Sequence, residues 1–420
     1  MKLAINGGKP IRERINHPFP NTDERDIRAV LSCFKRNSFS AFRAGSYEGG
    51  TKIKALEEHT RSLFGVEHAV AFDTWSNGII AGLMAIGVEA GDEVIVPPYT
   101  MTSCATSILA CGAVPVFADV CLDSGCIDPL DIERKITPRT KAIFVVHLFG
   151  IPAHMSPIMS LAKKHGLYVF EDCAQAPLAQ YMNRTCGTIG DISGISLTES
   201  KHVMSGEGGI ALTNNVAINN GLRIIRNHGE ACRSASNQEK YAVEVIPTSG
   251  LIGFNFRMTE LCAALAQSQL EKINEVLLTK RKLADSLINE ISKLEFIQPL
   301  IPSYDHTPSW YSLPFRFSAQ IAGVPRERFV AALNAEGMNF SCGYVEPLYY
   351  QSIYRSTPHW VIKKYASHIN YHEVKCPNVE KLWKEELITT LDIRPPFTLN
   401  DMNDVIKAFK KVTENIGELR

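Results

Sequence analysis

Glu93-Val-Ile-Val-Pro-Pro-Tyr-Thr-Met-Thr-Ser-Cys-Ala-Thr-Ser-Ile-Leu-Ala-Cys-Gly-Ala-Val-Pro-Val-Phe117 reads as a strand, a helix and a second strand. Glu93–Val96 and Val114–Phe117 are short apolar runs, and Thr102–Cys111 between them has the length of a helix. The same unit repeats on both sides. Upstream lie a strand at Ala69–Phe72 and a helix at Asn77–Ile86. Downstream lie a helix at Pro129–Ile136, a strand at Ala142–His147, a helix at Ser156–Lys164 and a strand at Tyr168–Phe170. Strands apolar on both faces and separated by helices build a largely parallel sheet covered on two sides. Ligands in such sheets gather at the carboxyl ends of the strands.

Three segments meet that edge. The strand ending at Phe170 runs into Glu171-Asp172-Cys173-Ala174-Gln175, which sets Asp172 at the mouth of the sheet with Gln175 one turn further on. The strand ending at Phe72 runs into Asp73-Thr74-Trp75-Ser76-Asn77-Gly78 and opens a helix, where free amides and the helix dipole favour an anion. Lys201 sits on a loop between two buried-strand runs, Gly194-Ile195-Ser196-Leu197 and Gly209-Ile210-Ala211-Leu212-Thr213. A desolvated lysine loses its proton more easily than in water, and the neutral amine forms a Schiff base. An anion cradle, a carboxylate, an amide and a loop lysine are the groups that pyridoxal phosphate requires. Singly, each has a plainer reading: a strand-end Asp caps helices, Ser76 and Asn77 do the same, and most lysines are surface lysines.

Composition narrows the class. The 420 residues are 45% hydrophobic and 21% charged, and 44 basic residues balance 44 acidic ones. That suits a soluble protein of two or three domains and offers no basic stripe for nucleic acid. The sequence contains no apolar run of membrane-spanning length and no apolar signal-peptide core. Eleven cysteines lack paired spacing. Cys104, Cys111, Cys173 and Cys262 fall in apolar or helical runs, as buried thiols of a cytoplasmic protein do, and no cluster proposes a metal site.

The chain resembles the DegT/StrS-type sugar aminotransferases of the fold type I pyridoxal phosphate enzymes nearly end to end. The motifs that carry the likeness are Gly91-Asp92-Glu93-Val94-Ile95-Val96-Pro97, Gly112-Ala113-Val114-Pro115-Val116-Phe117, Thr137-Pro138-Arg139-Thr140-Lys141-Ala142-Ile143 and Val146-His147-Leu148-Phe149-Gly150. To these add Glu171-Asp172-Cys173-Ala174-Gln175, the Lys201 segment with Gly206-Glu207-Gly208-Gly209, and Gly253-Phe254-Asn255-Phe256-Arg257-Met258-Thr259-Glu260. The resemblance implies a mainly parallel seven-stranded sheet flanked by helices, with a smaller α+β C-terminal domain. It implies that Lys201 is the Schiff-base lysine, that Asp172 pairs with the pyridine nitrogen and that Gln175 lies by the ring and its hydroxyl. Ser76 and Ser196 fall at phosphate-binding hydroxyls, and Asn255 where the family reaches the neighbouring subunit's phosphate, which implies a homodimer with shared active sites. Two positions depart from the family. Trp75 replaces a small residue in the phosphate loop, predicting altered geometry there. Met101 stands where many members place an aromatic ring over the cofactor, so either the cofactor is held more loosely or Tyr99 compensates.

Relatives that dehydrate deoxysugars carry histidine in place of the lysine; Lys201, with His202 beside it, favours transamination. The expected reaction moves an amino group from an amino acid, L-glutamate by family habit, to a keto sugar, most often nucleotide-linked in this family. A cyclic polyol ketone of the inosose type or a free keto sugar is the alternative acceptor, and a non-catalytic ligand sensor is the alternative of another class. The chain divides into an arm over 1–25, a cofactor-binding α/β domain over 26–255, and a long helix with a small C-terminal domain over 256–420. In the last, Trp310, Tyr311, Tyr344, Tyr349, Tyr350 and Tyr354 either line a sugar pocket or fill a core. Arg226-Asn227-His228-Gly229 forms a loop in the region where relatives meet the substrate.

Overall fold

The computed structural model describes residues 2–17, 22–40, 42, 48–229 and 251–420. Residues 1 and 18–21 of the arm, and Gly45, lie outside them. Seven strands form the central sheet: β1 (His68–Phe72), β2 (Glu93–Val96), β3 (Val114–Phe117), β4 (Thr140–Val146), β5 (Tyr168–Asp172), β6 (Ile192–Ser196) and β7 (Gly209–Thr213). Their order is β1-β7-β6-β5-β4-β2-β3, and every pairing is parallel except those of β7, which is antiparallel to both β1 and β6. All seven are almost wholly buried, as expected where helices cover both faces of a sheet.

The helices start on local signals. Asp23 caps α1 (Glu24–Arg36) in a capping box with Asp26, and α2 (Thr51–Phe64) ends on the left-handed Gly65. Thr74 Oγ1 accepts the amide of Asn77 to open α3 (Trp75–Ala85), two residues before the expected start. The others in this region are α4 (Thr102–Ala110), α5 (Pro129–Lys135), α6 (Met155–His165) and α7 (Val216–Arg226). The long helical stretch expected beyond Met258 is two helices, α8 (Glu260–Leu270) and α9 (Ile273–Ile291).

A second, antiparallel sheet combines β8 (Ile297–Pro299), β9 (Leu313–Phe317), β10 (Ser341–Cys342) and β11 (Leu387–Thr390) in the order β8-β9-β11-β10. Helix α10 (Arg326–Ala335) packs against α11 (Leu399–Glu414), which also meets α9. The N-terminal arm docks on these late elements. Leu3 is fully buried, the Ala4 and Ile11 amides donate to Glu336, and Arg12 pairs with Asp401. Among the described residues no helix is long and apolar enough to cross a membrane.

The topology fixes one edge of the central sheet as the place where chemistry can collect. There β1, β4, β5 and β6 end and β7 begins, so residues 197–208, with Lys201, form the return loop between β6 and β7.

Candidate active site

The expected anion cradle falls where the start of α3 lies beside the end of β6 and the start of β7. The amide of Asn77 goes to Thr74 Oγ1 and that of Gly78 to the Thr74 carbonyl. Among the described residues the amides of Trp75 and Ser76 have no protein acceptor, and Ser76 is exposed. Ser196, the last residue of β6, stands opposite Gly209. A side chain on Gly209 would put its Cβ 2.5 Å from Trp75 Cα, so only glycine lets the start of β7 come this close to the start of α3.

Asp172 closes β5 and is 4% exposed. Its Oδ1 accepts the indole Nε1–H of Trp75 at 2.9 Å and the amide of Ala174 at 2.9 Å. Its Oδ2 accepts the Cys104 thiol at 3.3 Å, and that sulfur lies 3.4 Å from Thr100 Oγ1. Burial and the neighbouring Asp172 charge hold the Cys104 thiol far above its ordinary pKa, so it remains a neutral donor. Among the described residues no cationic side chain pairs with Asp172. A buried carboxylate with neutral donors and no counter-charge is suited to a cationic ring nitrogen. The Trp75 indole turns inward to Asp172, and the Trp75 amide stays at the helix start.

Gln175 is buried and anchors a second network. Its Oε1 accepts the Phe149 amide at 2.8 Å and its Nε2 donates to the Tyr344 hydroxyl at 2.8 Å. Burial keeps the Tyr344 phenol protonated, and the Tyr344 amide donates to the Tyr99 hydroxyl at 2.9 Å. The Tyr311 amide donates to the Phe149 carbonyl at 2.8 Å, and Lys201 Nζ lies 4.4 Å from the centroid of the Tyr311 ring. Phe149 (φ 59°) and Gly150 (φ 88°) are both left-handed, and a Cβ on Gly150 would sit 2.5 Å from the Trp310 nitrogen. A phenylalanine held in that region costs about 1–2 kcal/mol, and here it brings the strap Ser309–Tyr311 against the end of β4. Buried His202 faces the Ser309 carbonyl through Nε2 at 3.0 Å; burial and the Lys280 charge push its pKa well down, so it is neutral.

The remaining expected residues divide. Met101 precedes α4 and is 50% exposed, with surface to offer a ring, whereas Tyr99 is fully buried and has none. Asn255 is exposed and pairs through its backbone with Asn227, outside the Asp172 cluster. Arg226 is fully buried, bound to Glu57 at 2.8 Å and to the Ala71 carbonyl, so it supports β1 and does not reach a substrate. Of the aromatic group, Trp310, Tyr349 and Tyr354 are core, while Tyr311 and Tyr344 belong to the site. The sequence marks Cys104 only as a buried thiol, and nothing in the spacing of α4 signals its bond to Asp172.

His147, Glu171 and Cys173 also converge, fully buried. His147 and Glu171 are already satisfied: His147 Nδ1 accepts the Ala153 amide, its Nε2 donates to Glu171 at 3.0 Å, and Glu171 accepts the amides of Gly187, Ile189 and Gly190. This is a buried structural hydrogen-bond network beneath the site.

The model of the DegT/DnrJ/EryC1/StrS aminotransferase family matches residues 34–410. The chain is 30% identical over 434 residues to the L-glutamine:2-deoxy-scyllo-inosose aminotransferase of Streptoalloteichus tenebrarius, covering 100% of this chain and 99% of that one. It is 29% identical over 381 residues to the spore coat polysaccharide biosynthesis protein SpsC of Bacillus subtilis, covering 88% and 92%. Among solved structures it resembles the aminotransferase from Psychrobacter cryohalolentis with a TM-score of 0.83 and 27% identity, over 96% of this chain and 99% of that one.

Proposed function

The chain belongs to the DegT/DnrJ/EryC1/StrS aminotransferase family, has the fold type I aminotransferase architecture and is an aminotransferase; from that premise we propose that it uses pyridoxal phosphate to aminate a keto sugar. The observation that carries the reading is Asp172, a buried carboxylate without a cationic partner among the described residues, at the sheet edge shared by the open amides of α3 and by Lys201. Bound there, pyridoxal phosphate supplies an electrophilic carbon and an electron-accepting ring.

The chain's own residues do the rest. Trp75 and Ser76 amides with the Ser76 and Ser196 hydroxyls hold the phosphate. Asp172 Oδ2 holds the ring nitrogen, and Met101 covers the ring. Gln175 and Tyr344 meet the ring hydroxyl; the Tyr344 oxygen already accepts from Gln175 and has its own proton to donate. Lys201 receives the proton from the donor carbon and returns it to the acceptor carbon, held for that by the Tyr311 ring. Asn255, exposed on its segment, serves the site of a second copy in a homodimer. We read a cofactor domain over 26–255 and a C-terminal domain over 256–420, the large sheet lying in the first range and the small sheet in the second.

The donor is an amino acid, L-glutamate in the first instance, and the acceptor a nucleotide-linked keto sugar. The full-length similarity to an inosose aminotransferase favours a second reading, a cyclic polyol ketone with L-glutamine as donor. The test is an absorbance titration of the purified protein with pyridoxal phosphate, then L-glutamate or L-glutamine, then a nucleotide-linked keto sugar or scyllo-inosose. A donor that bleaches the cofactor band and one ketone that restores it decide between the acceptors. Bound cofactor that no donor alters overturns the proposed reaction and supports a ligand sensor.

A further inference from the structure

We propose that Trp75 is the positioning residue for the cofactor carboxylate: its indole N–H holds Asp172 Oδ1 so that Oδ2 is the oxygen presented to the ring nitrogen. This rests on the reading that Asp172 faces that nitrogen. The two carboxylate oxygens are unequal. Oδ1 already accepts two N–H groups at 2.9 Å, from Trp75 and Ala174, and is filled. Oδ2 has one long thiol contact with Cys104 and capacity for another donor.

The indole is locked in place. A Cβ on Gly78 would lie 2.6 Å from the ring, and one on Gly194 would overlap it and the Ile210 carbonyl oxygen. The Phe170 ring lies 6.0 Å away, centroid to centroid. Trp75 is 5% exposed, so the slot left by two glycines is filled by an indole with its only polar atom on Asp172. The choice of donor matters as much as its place. A lysine or arginine would orient the carboxylate equally well but would compete with the ring nitrogen for its charge. The indole and the thiol fix the geometry and leave the full negative charge for the ring.

The test compares affinities of the cofactor-free protein for pyridoxal phosphate and for its analogue with C–H in place of the ring nitrogen. The wild type prefers pyridoxal phosphate, and Asp172→Asn abolishes the preference; if the wild type makes no distinction, the underlying reading of Asp172 fails. Trp75→Phe keeps a ring in the slot and removes the N–H. It is expected to lower the preference about tenfold, the value of one hydrogen bond to a charged group, with affinity for the analogue nearly unchanged. Equal losses for both ligands overturn the proposal and make Trp75 a space-filler. Should Trp75→Phe fail to fold, indole ¹⁵N labelling of the four tryptophans decides. One N–H resonance moves in Asp172→Asn if the bond exists, and none moves if it does not.

Discussion

Ser196 and Gly209 face one another across β6 and β7, and the backbone of Trp75 fills the space where Gly209 would carry a side chain. This contact joins the hydroxyl of one phosphate candidate to the amides of the other. Gly209→Ala is therefore expected to push the start of α3 away from β7, at a cost of about 1–3 kcal/mol for overpacking. Affinity for pyridoxal phosphate should fall while affinity for pyridoxal, which lacks the phosphate, stays the same. Parallel titrations of the two ligands check this; equal losses would mean that Gly209 only supports the fold.

The Tyr311 ring beneath Lys201 Nζ gives a prediction that separates ring from hydroxyl. The hydroxyl makes only a 3.5 Å contact with Ser200 Oγ, whereas the ring centroid lies 4.4 Å from the ammonium. Tyr311→Phe should keep near-wild-type rates of donor-driven cofactor bleaching. Tyr311→Leu should lose about fivefold, the value of a cation–π contact of about 1 kcal/mol. Lys201→Ala, which removes the proton carrier, should lose at least about a hundredfold. A Phe variant as slow as the Leu variant would transfer the role to the hydroxyl.

What the sequence makes legible here follows from local chemistry. Asp172 is visible because a buried strand ends in a carboxylate, and Lys201 because two apolar runs bracket a glycine-rich loop. Both signals lie within a few residues of the group itself. The direction of the Trp75 indole is not local: it depends on Gly78 and on Gly194, which belongs to β6, far along the chain. Its sequence position says only that a large residue stands in the phosphate loop; its packing shows the indole directed to Asp172. Tyr311 and Tyr344 cannot be told from Tyr349 and Tyr354 by type, since all are aromatic residues of one region; the left-handed turn at Phe149 and Gly150 brings the Tyr311 strap to the site, and Gln175 and Tyr99 hold Tyr344 there. Arg226 misleads for the same reason, because Glu57, its buried partner, is on α2.

Glu171 precedes Asp172 yet serves the fold. Burial pushes its carboxyl up, but the His147 imidazole and the amides of Gly190 and Gly187 more than offset this and hold it below the usual carboxylate range. A depressed folded-state pKa contributes stability that is present above the unfolded value and lost as pH falls through the folded one. Glu171 thus stabilises the protein in full above about pH 4.5 and loses that contribution progressively as pH falls below it through the lower folded-state value. Glu171→Gln should cost about 3 kcal/mol at neutral pH, because it leaves buried donors facing an amide, and should flatten the acid limb of the stability profile. Urea unfolding from pH 3 to pH 7 measures both; an acid limb unchanged by the substitution would show that other carboxylates control it.

Lys280 presents the opposite sign. It is 4% exposed on α9, with one long bond, 3.4 Å, to the Tyr311 carbonyl and no acidic partner among the described residues. Burial, with the Arg394 charge adding to it, lowers its pKa from 10.5 to about 7. Between those values the unfolded chain holds a proton that the folded chain has shed, so wild-type stability rises with pH across that window and the lysine costs most at and below about pH 7. Lys280→Met keeps the length, removes the charge and should stabilise the protein by on the order of 2–4 kcal/mol near pH 7. The gain should shrink steadily as pH approaches 10.5. Denaturant midpoints of both proteins at pH 6, 8 and 10 provide the check. A variant less stable than wild type at pH 6 would mean that Lys280 is charged and paired in the folded protein, and the stabilisation would then vanish at every pH.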